Sequence, residues 1–223
     1  MSVVARIYIV RHGETDANRN GIFQGHQDTR LNDVGLEQAR MTAEALERVP
    51  FGVAYSSDLE RAAKTAEIIL SKHPGVELKK YPELRERYLG DLEGKKIGQY
   101  TGTDGSGIPK NAESTAEFST RVSRWWKRNI IQRHVHGASS HANSGSAAVN
   151  VLVVSHGGAI GTLVLGLVGS RKVRCGKGVA VGRCMNASVS VVELGEDGAG
   201  VLVSFGDTTH LEGELVAVNV DEV

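Results

Sequence analysis

Apolar, β-branched runs alternate with helix-compatible stretches along this chain, which predicts an α/β fold with a largely parallel sheet covered by helices on both faces. Two runs carry the prediction. Ile7-Tyr8-Ile9-Val10 stops at Arg11-His12-Gly13, and Val151-Leu152-Val153-Val154 stops at Ser155-His156-Gly157-Gly158. Each has the pattern of a buried strand, and neither can continue cheaply through charged or polar residues. The third observation is that strand and helix patterns keep alternating between the two runs. In such a sheet the strands' carboxyl ends share one edge, where open α/β sheets place their ligands.

In order, Ala17 to Leu31 is rich in Asn, Gly, Gln and Asp and reads as a loop beside Arg11 and His12. Asn32 caps a helix to about Arg48 that turns Leu36, Ala39, Ala43 and Leu46 to one side; Pro50 ends it. Gly52 to Ser56 is a short strand. Ser57-Asp58-Leu59-Glu60 has the capping-box pattern and opens a helix from Asp58 to about Leu70, burying Leu59, Ala62, Ala63, Ala66 and Ile69. Val76 to Tyr81 alternates imperfectly but permits a third strand, and Glu83 to Gly94 is irregular. Thr101 to Lys110 is loop. Ser114 and Glu117 form a second capping box for a helix to about Gln132, whose Trp125 and Trp126 fit core packing better than a binding surface. Residues 134–150 turn to Gly, Ala, Ser, Asn and His and read as a flexible insertion. A helix from Ala159 to about Val168 follows the second buried run. Arg171 to Arg183 reads as a basic, glycine-rich loop, surface or substrate rim. Ala187 to Leu194 and Gly200 to Phe205 are strands paired through a turn at Gly195–Gly198.

Length and composition bound the functional classes. The 223 residues suffice for one core, show no repeat or boundary, and read as a single domain, 1–223. Lys+Arg and Asp+Glu both number 26, so no global basic field recruits nucleic acid or an anionic membrane. No apolar run reaches membrane-span length, and Met1 to Arg6 leaves no room for a signal peptide before the first strand. A cytoplasmic protein is expected. Cys175 and Cys184 have neither CxxC spacing nor disulfide density, so free thiols are expected. Oligomeric state is not written in the sequence.

The chemistry sits at the strand ends. Arg11 alone with His12 reads as a polar strand end, and Arg61 alone as a solvated arginine. Yet Arg61 falls in a helix's first turn, where a cation opposes the dipole and therefore points to an anion. His12, Arg61 and His156 each follow a separate strand, so one edge gathers two histidines and two arginines. That set suits a phosphoryl group: guanidinium forks spread over its oxygens, amides near Gly157 add donors, and a neutral imidazole can attack phosphorus. The glycines after His156 make no GxGxxG fingerprint, which argues against a dinucleotide. His134, His136 and His141 lack a Cys or carboxylate partner, so no metal site is expected.

Arg11-His12-Gly13-Glu14-Thr15, then Asn18 and Gln24-Gly25, resembles the opening signature of the histidine phosphatase superfamily, which includes the cofactor-dependent phosphoglycerate mutases. Ser56-Ser57-Asp58-Leu59-Glu60-Arg61-Ala62 is similar to the segment bearing that family's second arginine. Leu84-Arg85-Glu86, with Gly90 and Glu93-Gly94, is similar to the segment carrying its acid, and Val154 to Gly158 to its second-histidine segment. The resemblance implies a three-layer α/β/α sandwich that needs no metal or cofactor. His12 would be the nucleophile that becomes phosphohistidine and Glu86 the proton donor, with Glu83 as the alternative. Arg11, Arg61 and His156 would bind the phosphoryl group, with Asn18, Gln24 and Gly25 lining the site. Two positions depart from the family pattern: Leu92 replaces an aromatic, and Ala112-Glu113-Ser114 replaces Gly-Glu-Ser.

The leading expectation is a phosphatase of small phosphorylated metabolites. A phosphoglycerate mutase is the alternative, although mutases typically show Glu-Arg-His-Tyr-Gly where this chain has Glu86-Arg87-Tyr88-Leu89-Gly90. A protein-phosphotyrosine phosphatase, a fructose-2,6-bisphosphatase and an inactive phosphate-binding module on the same fold are the remaining readings.

Overall fold

The structure, a computed structural model, describes residues 2–98, 109–137 and 148–211. In chain order its main elements are β1 (Val3–Arg11), α1 (Asp16–Arg19), α2 (Asp33–Leu46), β2 (Phe51–Ser57), α3 (Glu60–Leu70), β3 (Leu78–Tyr81), α4 (Thr115–Trp126), β4 (Val149–Ser155), α5 (Gly157–Gly169), β5 (Val173–Cys175), β6 (Val189–Gly195) and β7 (Gly200–Asp207). The seven strands form one sheet in the order β3-β2-β4-β1-β6-β7-β5. β3, β2, β4 and β1 run parallel; β6 is antiparallel to both its neighbours, and β5 is parallel to β7.

The sheet is sandwiched because its central strands are apolar on both faces. Ile7, Ile9, Val151 and Val153 pack with Phe118, Val122, Trp125, Ile160 and Leu163 of α4 and α5. Val10, Leu152, Val154 and Ala54, pointing the opposite way, pack with Ala43, Leu46, Ala62, Ala66 and Ile69 of α2 and α3. The three-layer α/β/α architecture follows from that two-sided burial.

Local chemistry sets the helix starts. Asn32 accepts from the Gly35 amide at the head of α2, and Ser114 and Glu117 form the expected capping box at α4. The capping box expected at Ser57 is not formed. Ser57 is still the last residue of β2, α3 begins at Glu60, and Leu59 occupies the cap with no side-chain bond. The Ser57 hydroxyl accepts from the Leu59 amide at 3.3 Å and lies 2.9 Å from His156 Nε2.

Three further expectations are corrected. The segment after β1 is not all loop, since Thr15 and Asn18 form a capping box around the short helix α1. The basic stretch 171–183 contains β5, which joins β7 at the sheet edge. The helix expected to end near Gln132 continues as a π-helix, Lys127–His136, so residues 134–136 are helical rather than part of an insertion. His134 is tied there by Tyr55, whose hydroxyl lies 2.8 Å from its Nε2. At the other end, Val149 and Asn150 already belong to β4. The rest of the expected insertion, residues 138–147 with His141, and most of the expected 101–110 loop lie outside the described residues.

Candidate active site

Strand register brings the two histidines together. Arg11 pairs with Ser155, and the ladder extends one residue further because the His12 amide donates to the Ser155 carbonyl at 3.0 Å. His12 and His156 therefore leave adjacent parallel strands side by side. Their ring centroids are 5.1 Å apart, and each residue is 1% exposed. His12 Nδ1 lies 2.7 Å from the Gly13 carbonyl, which can only accept, so Nδ1 carries the proton and Nε2 the lone pair. His156 Nε2 is 2.9 Å from the Ser57 hydroxyl, and its Nδ1 has no hydrogen-bond partner among the described residues.

Both arginines are inside the protein. Arg11 is fully buried and donates through Nη1 to the Cys184 carbonyl at 2.6 Å. Arg61, the second residue of α3, is 1% exposed and donates to the Gln27 and Gly25 carbonyls at 2.7 and 2.9 Å. Burial, then Arg61, then Arg11, pushes the His12 imidazole well below the usual histidine range. Burial followed by Arg61, His12, Arg11 and His26 does the same to His156. Two neutral imidazoles thus face two permanent cations, an arrangement suited to a nucleophile attacking a multiply charged anion.

Of the carboxylates left open by the sequence, Glu86 is brought to this edge. It is 8% exposed, and its Oε2 accepts from the Gly158 amide at 2.8 Å, two residues after His156 at the head of α5. A Cβ on Gly158 would come within 2.5 Å of the Glu86 carboxylate, so only glycine permits the approach. The other oxygen accepts from the Arg87 amide. Glu83 is held through its backbone, its carbonyl accepting from Arg121. Gly157 opens α5 against the Arg11 guanidinium; a Cβ there would lie 3.3 Å from Arg11 Cζ.

Asn18 lies in α1, and Gln24 and Gly25 lie in the loop that follows it. The Thr15 hydroxyl is 3.0 Å from Asn18 Oδ1 and 2.9 Å from Gln24 Oε1. Gly25 adopts φ 50°, and any side chain on it would overlap the Glu93 carboxylate.

Several contributors went unassigned at the sequence level. Thr65 accepts from the Gly13 amide at 3.1 Å; its one signal is the four-residue spacing from Arg61, which puts both on one face of α3. Asn186 donates to the His12 carbonyl at 2.9 Å, and nothing in its neighbourhood announces this. Arg85 makes a two-pronged bond to Asp58, at 2.7 and 2.6 Å, tying the Glu86 segment to the start of α3. Glu93 accepts from the His26 and Leu89 amides, closing the same segment on the Gly25 loop. Among the described residues no three His, Cys, Asp or Glu side chains gather as a metal site, and no helix is long and apolar enough to cross a membrane.

The comparisons with known proteins agree with this geometry. A broad-specificity phosphatase of Saccharomyces cerevisiae is 33% identical over 223 residues, covering 96% of this chain and 90% of the relative. A metal-independent phosphoserine phosphatase of Arabidopsis thaliana is 34% identical over 223 residues, covering 94% and 84%. The crystal structure of a phosphoglycerate mutase from Bacillus anthracis superposes with a TM-score of 0.73 at 30% identity, covering 94% of this chain and 96% of that one. A family model described as the histidine phosphatase superfamily, branch 1, matches residues 7–208, and the chain belongs to that superfamily.

Proposed function

We propose that this protein hydrolyses phosphomonoesters of small metabolites through a phosphohistidine at His12. The observation that carries the reading is the pair of neutral imidazoles 5.1 Å apart beside two buried guanidiniums. In the first step the His12 Nε2 lone pair forms a bond to phosphorus, and the bond from phosphorus to the ester oxygen breaks. The leaving oxygen takes a proton from Glu86, acting as general acid. In the second step Glu86, now ionised, removes a proton from water as the water oxygen bonds to phosphorus. The bond from Nε2 to phosphorus breaks and its electron pair returns to the imidazole. Arg11, Arg61, His156 and the Gly157 end of α5 hold the equatorial oxygens. The Gly13 carbonyl keeps the His12 ring oriented and supports its positive charge while phosphorylated.

The reaction is metal-independent in this reading. Two guanidiniums and a helix N-terminus supply the charge, and the Arabidopsis relative carries the same description in its name. The name of the Saccharomyces cerevisiae relative, a broad-specificity phosphatase, favours varied small substrates, whereas the Arabidopsis relative is named for phosphoserine; both are hydrolases of small phosphomonoesters. The mutase reading draws on the likeness to the Bacillus anthracis phosphoglycerate mutase, but Arg87-Tyr88-Leu89 departs from the Arg-His-Tyr of mutases. A cytoplasmic setting is supported by two unbridged thiols, Cys175 and Cys184.

The test is alkaline-quench trapping with a phosphate-labelled aryl ester, with and without a chelator, because the N–P bond of a phosphohistidine survives base and not acid. We expect about one labelled phosphohistidine per chain at the burst maximum, chelator-insensitive turnover, and no label on His12→Ala. Turnover without any labelled protein, or label persisting on His12→Ala, overturns the nucleophile; rescue by a divalent ion after chelation overturns metal independence.

A further inference from the structure

We propose that Arg121 of α4 is the positioning residue for Glu86, fixing the acid's geometry without touching the reacting atoms. The inference rests on Glu86 being the acid, as proposed above. The segment 82–94 has no place in the sheet; it is two short 3-10 turns and connecting backbone. Something other than a ladder must hold it: the Ser155 hydroxyl donates to the Leu84 carbonyl at 2.7 Å, His26 Nε2 lies 2.8 Å from the Glu86 carbonyl, and one guanidinium reaches three carbonyls around the acid. Arg121 Nη1 donates to the Glu83 and Arg85 carbonyls at 2.9 and 3.1 Å, and Nη2 to the Glu86 carbonyl at 3.1 Å. The guanidinium is itself aimed by Glu113, bonded through Nε at 2.8 Å and Nη2 at 2.7 Å, and rests over the Phe118 ring at 5.1 Å. Glu113 also grips the far side of the segment. It accepts from the Tyr88 amide through Oε2 and from Arg87 Nε through its carbonyl, and its amide donates to the Tyr88 carbonyl.

The chemistry singles out arginine. Three carbonyls and a carboxylate converge on one planar fork with five donors, a set that a lysine ammonium with three donors on a flexible stem cannot match. Losing the fork takes one donor from each of three carbonyls at once; the Glu86 carbonyl keeps His26 Nε2 at 2.8 Å, but the Glu83 and Arg85 peptides on its N-terminal side lose their tie to α4, and the backbone at Glu86 loosens. The Glu86 carboxylate then leaves the Gly158 amide, whereas His12, Arg11 and Arg61 depend on other elements and stay in place.

A residue that merely staples the fold lowers turnover of every substrate alike. A residue that acts through the acid lowers turnover according to the leaving group. An alkoxide needs its proton and an aryl oxide hardly does. Phosphoenzyme formation is therefore measured by rapid quench with an alkyl and an aryl phosphate for Arg121→Gln, Arg121→Lys, Glu86→Gln and Glu86→Gln/Arg121→Gln. We expect Arg121→Gln to slow the alkyl ester about a hundredfold, the scale of a 1 Å misplacement. The aryl ester should slow about threefold or less. Arg121→Lys, which keeps the charge and guards against a folding failure, should show the same split. The double variant should be no slower than Glu86→Gln. Equal slowing of both esters in the Arg121 variants, with a selective loss in Glu86→Gln, overturns the positioning role alone. Equal slowing in Glu86→Gln as well overturns the assignment of the acid and this inference with it.

Discussion

The phosphate-holding edge and the acid-bearing segment meet at one site but are held by different means. At the edge, His12 continues the β1–β4 ladder to Ser155, the Arg11 amide donates to the Ser188 carbonyl, and the Ala187 amide and Asn186 side chain both reach the His12 carbonyl. Gly13 is pinned by Thr65. The acid segment has no ladder. Among the described residues, two isolated backbone bonds reach it, from the Glu113 amide to the Tyr88 carbonyl and from the Gly94 amide to the Phe23 carbonyl, and side chains add the rest: Arg85 on Asp58, Arg121 on three carbonyls, Glu93 on two amides. Backbone pairing is shared among many residues and tolerates the loss of one. Side-chain ties concentrate in single residues, and exposed ones weaken with salt. The phosphate cradle is therefore the stiff half of the site and the acid segment the adjustable half.

The largest effect separates chemistry from architecture at the stiff half. His12→Ala should lower phosphatase turnover at least about a thousandfold, since the nucleophile acts as a unit with its surroundings. The unfolding free energy should move by no more than about 1 kcal/mol, because the position lies past the strand and takes part in the ladder through its backbone. Steady-state rates and urea melts on the same preparation check both halves. Retained activity removes His12, and a collapsed melt removes the claim that the ladder alone carries the fold there.

The next effect probes the adjustable half. Glu86→Gln keeps the shape but not the proton. With an aryl phosphate the first step should proceed, while the second, which needs Glu86 as base, slows by about a hundredfold or more. A burst of aryl alcohol equal to the enzyme concentration, followed by a slow steady state, is the expected trace. A linear trace with trapped label absent would reassign the base and turn attention to Glu83.

This stiff-and-adjustable division also explains what could be read from the residues. Ile7–Val10 and Val151–Val154 announce buried parallel strands by composition, and their strand ends put Arg11, His12 and His156 on one edge by topology alone. Arg61 was legible as a cation opposing a helix dipole. Glu86 is preferred over Glu83 in the sequence only through its spacing to Gly90 and Glu93-Gly94 in the family resemblance, because both sit in an irregular, charged stretch that carries no local signal. What separates them is a bond to Gly158, far along the chain. Ser57 misled for a similar reason: its local pattern is a helix cap, and its hydroxyl is shared between the Leu59 amide and a tertiary partner, His156. β5 was missed because three residues flanked by Lys and Arg carry no strand period; pairing with β7 defines it.

Two single changes of similar chemistry compare the halves directly. Thr65→Val leaves the buried Gly13 amide without its acceptor and should cost about 1–3 kcal/mol of stability. Asp58→Asn weakens the pair with Arg85, whose side chains are 28% and 33% exposed, and should cost at most about 1 kcal/mol. Activity should rank the other way on alkyl phosphates, where the Asp58 change loosens the acid by about tenfold. The same losses in stability and activity from both variants would show that the two halves are held alike.

The smallest effect is a pH dependence of stability that the cradle should dominate. His12 and His156 are held neutral in the folded protein, chiefly by burial and then by Arg61 and neighbouring charges. Unfolded, both return to about pKa 6.5. Above that pH neither state binds the proton, so the histidines contribute no slope. Below it the unfolded chain takes protons that the folded one refuses, and stability falls with pH until the folded values are reached. Each such histidine removes up to about 1.4 kcal/mol per pH unit below 6.5. His26, half-buried beside the acid segment, is lowered in the same direction, as are His73, His134 and His210. His156→Asn should therefore flatten the decline in urea-melt stability between about pH 6.5 and 5 more than His26→Asn does. A wild-type protein equally stable across that window would mean that the site histidines accept protons in the folded state. An equal flattening by both variants would place the sensitivity in the adjustable half as much as in the stiff one.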